Sequence, residues 1–382
     1  MTPTKKSKNA NPRSYSHAMR REIYEQPTAI AKTIEKHLKD DIIFPGELQP
    51  LESALLTFEK LIVAASGSSR HAGLAGEIMI EDLSGSAVDV EYASEYCYRS
   101  THAETDPIVI VITQSGETAD TIAAQREALA RGAKTLAICN VAGSTIAQEA
   151  SAHLITQAGP EKAVPATKSF TSQVTVLYLF ALYLARRRGR MTSEWIRARI
   201  DPLMQLPDQL NTLIPQWDSL AAESAEHYRK SASYLFLGRG VHYAIAREGA
   251  LKLKEISYAH AEAYPTGEVR HGPEALVSGG MPIVVVATRD DADPDSVLRY
   301  KKTLLTLTSL KSHGASIFAI ATEGDTEIQA LAEHTIFVPQ MPELVLPIAE
   351  VIPLQLFAYH VARLNGFDID NPRNLTKAVV SE

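Results

Sequence analysis

Six continuous apolar runs punctuate the chain: KLIVAAS (60–66), DPIVIVIT (106–113), KTLAICN (134–140), SYLFLG (233–238), MPIVVVAT (281–288) and SIFAIAT (316–322). They do not alternate with polar residues, which is the pattern of strands buried on both faces of a parallel sheet. Segments that can form helices follow them, such as SRHAGLAGEIMIEDL after the first and VHYAIAREGALKLKEI after the fourth. Strand, loop and helix in repetition require crossover connections, so the pattern predicts an α/β fold with doubly wound parallel sheets and helices on both faces.

The two triplets of strands read as one unit used twice. LIVAASGSS resembles LFLGRG, DPIVIVITQSGE aligns with MPIVVVATRDDA so that Thr113 corresponds to Thr288, and KTLAICN pairs with SIFAIAT. The expected organisation is a disordered tail over 1–22, a first domain over 23–199, a second over 223–365 and a C-terminal tail over 366–382. Between the domains, 200–222 holds three prolines in a weakly periodic stretch and reads as a linker or bridging helix. The apolar segment VTVLYLFALYLA (174–185) is shorter than the roughly 20 residues of a membrane span and reads as a buried helix.

Composition narrows the partners. The 382 residues are 45% apolar and carry a formal net charge of −7, so no global basic field favours nucleic acid or an anionic membrane. Any anionic ligand must be held by local donors. The two cysteines, Cys97 and Cys139, form no disulfide framework and fit a reducing cytosol, hence a cytoplasmic protein. No metal-ligand spacing occurs, and neither a metal nor a cofactor is expected. The basic start, MTPTKKSKNANPRS, lacks the apolar core of a signal peptide.

Candidate chemistry concentrates in two regions. In open α/β sheets, ligands sit beyond the carboxyl ends of strands. There the first half has SGSS (66–69) and TQSGET (113–118), loops rich in hydroxyls, with a glycine that lets backbone N–H groups approach an oxyanion. The second half has TRDDAD at the matching place, whose carboxylates repel anions. Two such loops in one half favour a phosphate monoester over simple helix capping. No GxxxxGK[ST] is present, so nucleotide hydrolysis is not indicated. In the second region, Glu248, Lys252 and Glu255 fall on one helical face, and His271 lies in the turn-rich RHGPEAL.

Taken together, ASGSS, TQSGETADT, LAICN, ATKSF, LFLGRG, EGALKLKEISYAHAEAY, HGP and DNPRNLTKAVVSE resemble the isomerase domain of glucosamine-6-phosphate synthase, a tandem sugar-isomerase (SIS) fold, from YEQP (24–27) to the C-terminus. The resemblance implies phosphate binding by Ser69, Thr113, Gln114, Ser115 and Thr118, with Ser68 alongside, and sugar contacts at Glu161 and Val164. It implies Glu255 as the carboxylate that moves a proton between C1 and C2, Lys252 as its neighbouring cation and Lys377 as a lysine able to form a Schiff base. His271 matches a ring-opening histidine contributed by a neighbouring subunit, so a homodimer with a shared active site is implied.

Three departures bear on the reaction. The chain opens with MTPTKKSK where the synthases carry a glutaminase domain, Ala166 stands where they usually have serine, and Arg270 replaces a usual lysine. The expected activity is therefore conversion of glucosamine 6-phosphate and water to fructose 6-phosphate and ammonia. A fructosamine-phosphate deglycase, a ketose/aldose phosphosugar isomerase and a non-catalytic sugar-phosphate sensor stand as alternatives.

Overall fold

A computed structural model of the chain describes residues 15–40, 42–99, 107–189 and 191–380. Ten parallel strands form two five-stranded sheets. The first contains β1 (Lys60–Ala65), β2 (Ala87–Tyr92), β3 (Ile108–Ile112), β4 (Lys134–Cys139) and β5 (Ala152–Ile155) in the order β2-β1-β3-β4-β5. The second contains β6 (Ser233–Gly238), β7 (His260–Pro265), β8 (Pro282–Ala287), β9 (Ser316–Thr322) and β10 (His334–Val338) in the order β7-β6-β8-β9-β10. The α/β fold with two doubly wound halves is thus present, and the halves share one strand order. All six apolar runs are strands at the sheet centres. In β3 and β9 every residue is buried, as a strand covered on both faces demands.

Five helices position the site: α1 (Gly67–Ser84), α2 (Lys168–Arg187), α3 (Ser193–Tyr228), α4 (Val241–Ser257) and α5 (Leu346–Leu364). They belong to one apolar core that continues from the first sheet to the second. Small residues let α1 lie close to its neighbours. A Cβ added at Gly73 would meet Val63 at 2.9 Å, and one at Gly76 would meet Leu177 of α2 at 3.0 Å. The segment 174–185 is the centre of α2 and is buried apart from Tyr183. Burying each large aliphatic side chain there contributes about 1.5–3 kcal/mol.

One expectation about the chain's organisation resolves and another changes. Of the linker and the bridging helix expected over 200–222, the helix is present: the stretch lies inside the 36-residue helix α3, despite Pro202, Pro207 and Pro215. Each proline forfeits one backbone hydrogen bond. The buried face of Leu203, Leu206, Leu210, Ile214 and Trp217 offsets that loss. The tail expected over 1–22 is not disordered throughout. Residues 1–14 lie outside the described residues, but Ala18–Tyr24 is a helix that buries Met19, Glu22 and Ile23. Its start is held by the carboxylate of Asp370, which accepts from the N–H groups of Ala18 and Met19 at 2.8 and 2.9 Å.

Candidate active site

A cleft of about 280 Å³ opens at the carboxyl ends of β1 and β3. Ser68, Ser69, Thr113, Gln114, Ser115, Thr118, Val164, Glu255 and Lys377 all line it. Nine of the twelve residues to which the resemblance gives a role therefore converge on one place. Glu161 and Lys252 stand directly behind the wall, while His271 lies elsewhere, exposed on a short turn of helix over Glu268–His271. Thr121 also lines the cleft and its buried Oγ1 has no partner among the described residues. Its spacing of three from Thr118, one helical turn, was the available signal.

The loop hydroxyls are not spent as helix caps. Ser66 precedes α1 and Thr118 precedes the helix Ala119–Ala130, and neither side chain makes a capping bond. Thr113 Oγ1 and Thr118 Oγ1 lie 2.8 Å apart, and Ser69 Oγ accepts from Gln173 Nε2 of α2 at 3.1 Å. Between Ser115 and Thr118 the chain turns through Gly116 at φ +72°. A Cβ there would lie 2.0 Å from Ser144 Oγ, so both conformation and space require glycine. The result is a cradle of hydroxyls and backbone donors at the ends of two strands, suited to a phosphate dianion.

The second half closes the cleft with α4. Glu248 is fully buried and carries a dense set of contacts. Ser68 Oγ donates to its Oε1 at 2.8 Å, His71 Nδ1 lies 2.8 Å from its Oε2, and Lys252 Nζ lies 3.4 Å from Oε1. Burial opposes its ionisation, yet Lys252, His71 and Ser68 together hold its carboxyl below the usual range. Lys252 is buried too and sits 2.6 Å from Glu255 Oε2. Desolvation would strip its proton, but Glu255 and Glu248 hold its pKa above the ordinary lysine value. Burial, with Glu248 nearby, raises the Glu255 carboxyl even though Lys252 acts against the rise. A carboxyl displaced upward beside a firm cation is suited to taking and returning a proton.

The C-terminal segment lies across the cleft as a strap. Val164 N–H donates to Asp370 O at 2.9 Å, Arg373 N–H to the Tyr258 hydroxyl at 3.0 Å, and Ala119 N–H to Val379 O at 2.9 Å. These bonds bring Lys377 into the cleft, where its Nζ donates to Glu161 Oε2 at 2.5 Å. Glu161 also accepts from the N–H groups of Thr167 and Ser169 and from Ser169 Oγ. Burial works against its charge, but Lys377 and these donors keep its carboxyl below the usual range. Glu161 therefore anchors Lys377 and the loop before α2, and its carboxylate does not face the cleft. Among the described residues no cluster of three or more His, Cys, Asp or Glu side chains is placed to hold a metal ion.

A twinned parallel α/β fold with a hydroxyl-lined cleft and a buried carboxylate–lysine pair defines a class: phosphosugar isomerase folds. The SIS domain description matches residues 55–183 and 227–364, and the chain belongs to that family. It is 42% identical over 370 residues to the glutamine–fructose-6-phosphate aminotransferase (isomerizing) of Chlorobaculum tepidum, covering 96% of this chain and 59% of that protein. Identity to the protein of the same name from Methanosarcina acetivorans is 43% over 371 residues, with the same coverage. The chain thus spans about three-fifths of the length of these relatives. Among solved structures, the C-terminal domain of glucosamine-fructose-6-phosphate aminotransferase from Francisella tularensis superposes with a TM-score of 0.84 at 33% identity, covering 94% of this chain and 99% of that one. Glucosamine-6-phosphate deaminase from Thermotoga maritima shares the fold, with a TM-score of 0.70 at 22% identity over 95% of this chain and 99% of that one.

Proposed function

We propose that this chain is an isomerising amino-sugar phosphate deaminase that converts glucosamine 6-phosphate and water to fructose 6-phosphate and ammonia. The observation that carries the reading is the Glu255–Lys252 pair, 2.6 Å apart, opening on the same cleft as the hydroxyl cradle and Lys377. The cradle of Ser69, Thr113, Gln114, Ser115 and Thr118, with Ser68 beside it, holds the phosphate and so fixes the sugar's far end. Val164 and the loop anchored by Glu161 border the sugar. On the open-chain aldose, Glu255 takes the proton from C2 and returns it to C1, and Lys252 stabilises the oxyanion character that develops between the two steps. The product is an imine at C2. Water adds to that carbon and ammonia leaves, which balances the reaction without oxidant or reductant.

Lys377 reaches the ketose carbonyl only after leaving Glu161, and its role is reversible imine formation with the open chain. Ring opening falls to His271 of a second copy in a homodimer, because within one chain His271 lies outside the cleft.

A second reading follows from the names of the curated relatives, which are isomerizing aminotransferases. In it, the same cleft aminates fructose 6-phosphate with ammonia supplied from elsewhere. The test is ammonia and fructose 6-phosphate release from glucosamine 6-phosphate, run beside the reverse reaction with fructose 6-phosphate and ammonium. Stoichiometric release of both products supports deamination. Amine incorporation that outpaces release moves the assignment to the synthetic direction, and no turnover either way, with sugar phosphate bound, defeats both.

A further inference from the structure

Back to back with the first cleft, and sharing Gly67 with it, lies a second of about 440 Å³ between α1 and α4. Arg70, His71, Tyr92, Tyr243, Arg247 and Lys254 line it. Arg70 is 9% exposed, and its Nε and Nη1 are buried with no hydrogen-bond partner among the described residues. Its remaining nitrogen reaches only the Val90 carbonyl at 3.4 Å, and its guanidinium lies 3.7 Å from the ring centre of Tyr92. Arg247 meets neutral hydroxyls, those of Tyr92 at 3.2 Å and Tyr243 at 3.5 Å. Arg70, Arg247 and Lys254 make no ion pair among the described residues. The one carboxylate lining the cleft, Glu262, accepts from the Tyr264 hydroxyl at 2.6 Å.

Three cations without a direct ion-pair partner among the described residues line one hollow, against a single lining carboxylate, in a chain of net charge −7. A buried guanidinium with two unused donor nitrogens asks for a partner, because leaving charged donors desolvated and unpaired is costly. Phosphate answers both demands: guanidinium forks bind it bidentately, and lysine adds a point charge. We propose that this cleft is a second anion site that binds a phosphorylated small molecule. It is separate from the sugar-phosphate cradle, and its existence does not depend on which reaction the first cleft performs.

Pyrophosphate binding measured by calorimetry tests this. The wild-type chain takes up two pyrophosphates, an S69A/T113V variant keeps the second-site pyrophosphate, and an R247Q/K254Q variant loses that one with at least a tenfold drop in affinity. Arg247 and Lys254 reach solvent, so the second variant folds, and matching thermal midpoints verify it. A single binding event in the wild type, abolished by S69A/T113V and untouched by R247Q/K254Q, overturns the proposal. So does a wild-type dimer that R247Q/K254Q converts to monomer with no second pyrophosphate bound, since a second copy of the chain would then occupy the cleft.

Discussion

The two halves share a strand order but treat equivalent positions in opposite ways. Four residues beyond the end of β1 stands Ser69, and four beyond the end of β6 stands His242. Thr113 follows β3, and Thr288 follows β8. In the first half these side chains border open space. In the second they are buried among carboxylates from the far end of the chain. Thr288 Oγ1 donates to Glu350, His242 Nδ1 lies 2.9 Å from a Glu350 oxygen and its Nε2 lies 3.2 Å from Glu343. Glu343 further accepts from Ser296 Oγ at 2.8 Å and pairs with Arg299. Doubling a fold therefore does not double its site. The same backbone yields an open cradle where hydroxyls face a void and a structural ion network where carboxylates fill it.

Under the proposed function, the chemistry falls to the α4 carboxylate and phosphate affinity to the first-half loops. The largest expected effect is that of Glu255→Gln, which lowers turnover about 10²–10⁴-fold while phosphate binding stays within a few-fold. Steady-state kinetics beside a phosphate titration read both, and unchanged turnover would remove Glu255 from the reaction.

Next, His242→Leu leaves Glu350 buried with Thr288 as its remaining partner, and removing one member of a buried ion pair costs about 3–5 kcal/mol. Urea unfolding measures it. A loss under 1 kcal/mol would mean that the network in the second half is ornamental.

The same network carries a pH signature. Burial alone would lower the His242 pKa, but Glu350 and Glu343 raise it to about 10 from 6.5. The folded state thus binds the proton more firmly than the unfolded chain, so this stabilisation is complete below pH 6.5 and is lost as pH rises through about 10. Glu343 runs the other way. Burial opposes its charge, but His242 and Arg299 hold it at about 2 against an ordinary 4.5, so its contribution is present above pH 4.5 and lost as pH falls through about 2. Urea midpoints at pH 6, 8 and 10 should decline in the wild type and decline less in His242→Leu.

The smallest effect sharpens the first half. Ser69→Ala removes one cradle hydroxyl and leaves Gln173 Nε2 without its acceptor, weakening sugar-phosphate binding about tenfold, near 1.4 kcal/mol. Stability should stay within about 1.5 kcal/mol of the wild type.

The central strands were legible because a strand buried on both faces must be apolar throughout. The flanking strands were not. β2 (AVDVEY) and β7 (HAEAYP) carry charged or polar residues on partly solvated sheet edges, and β5 is only four residues long. The spacing of Glu248, Lys252 and Glu255 predicted one shared face. That Glu248 is fully buried and grips Ser68 and His71 depends on α1 and α4 meeting across the halves, which no local pattern encodes.

By itself the chain's sequence determined the repeated strand–loop–helix unit, the hydroxyl loops confined to the first half and the acidic residues at the matching place in the second. These follow from local rules: periodicity, turn chemistry and the sign of charge near a strand end. Tertiary structure alone decided that Lys377, more than 200 residues from Glu161 in sequence, pairs with it inside the cleft, and that Glu350 fills the second half's counterpart of the cradle. It also turned Arg70, Arg247 and Lys254 toward one hollow. Such pairings depend on how whole helices pack, and packing is set by the summed fit of side chains distant in sequence.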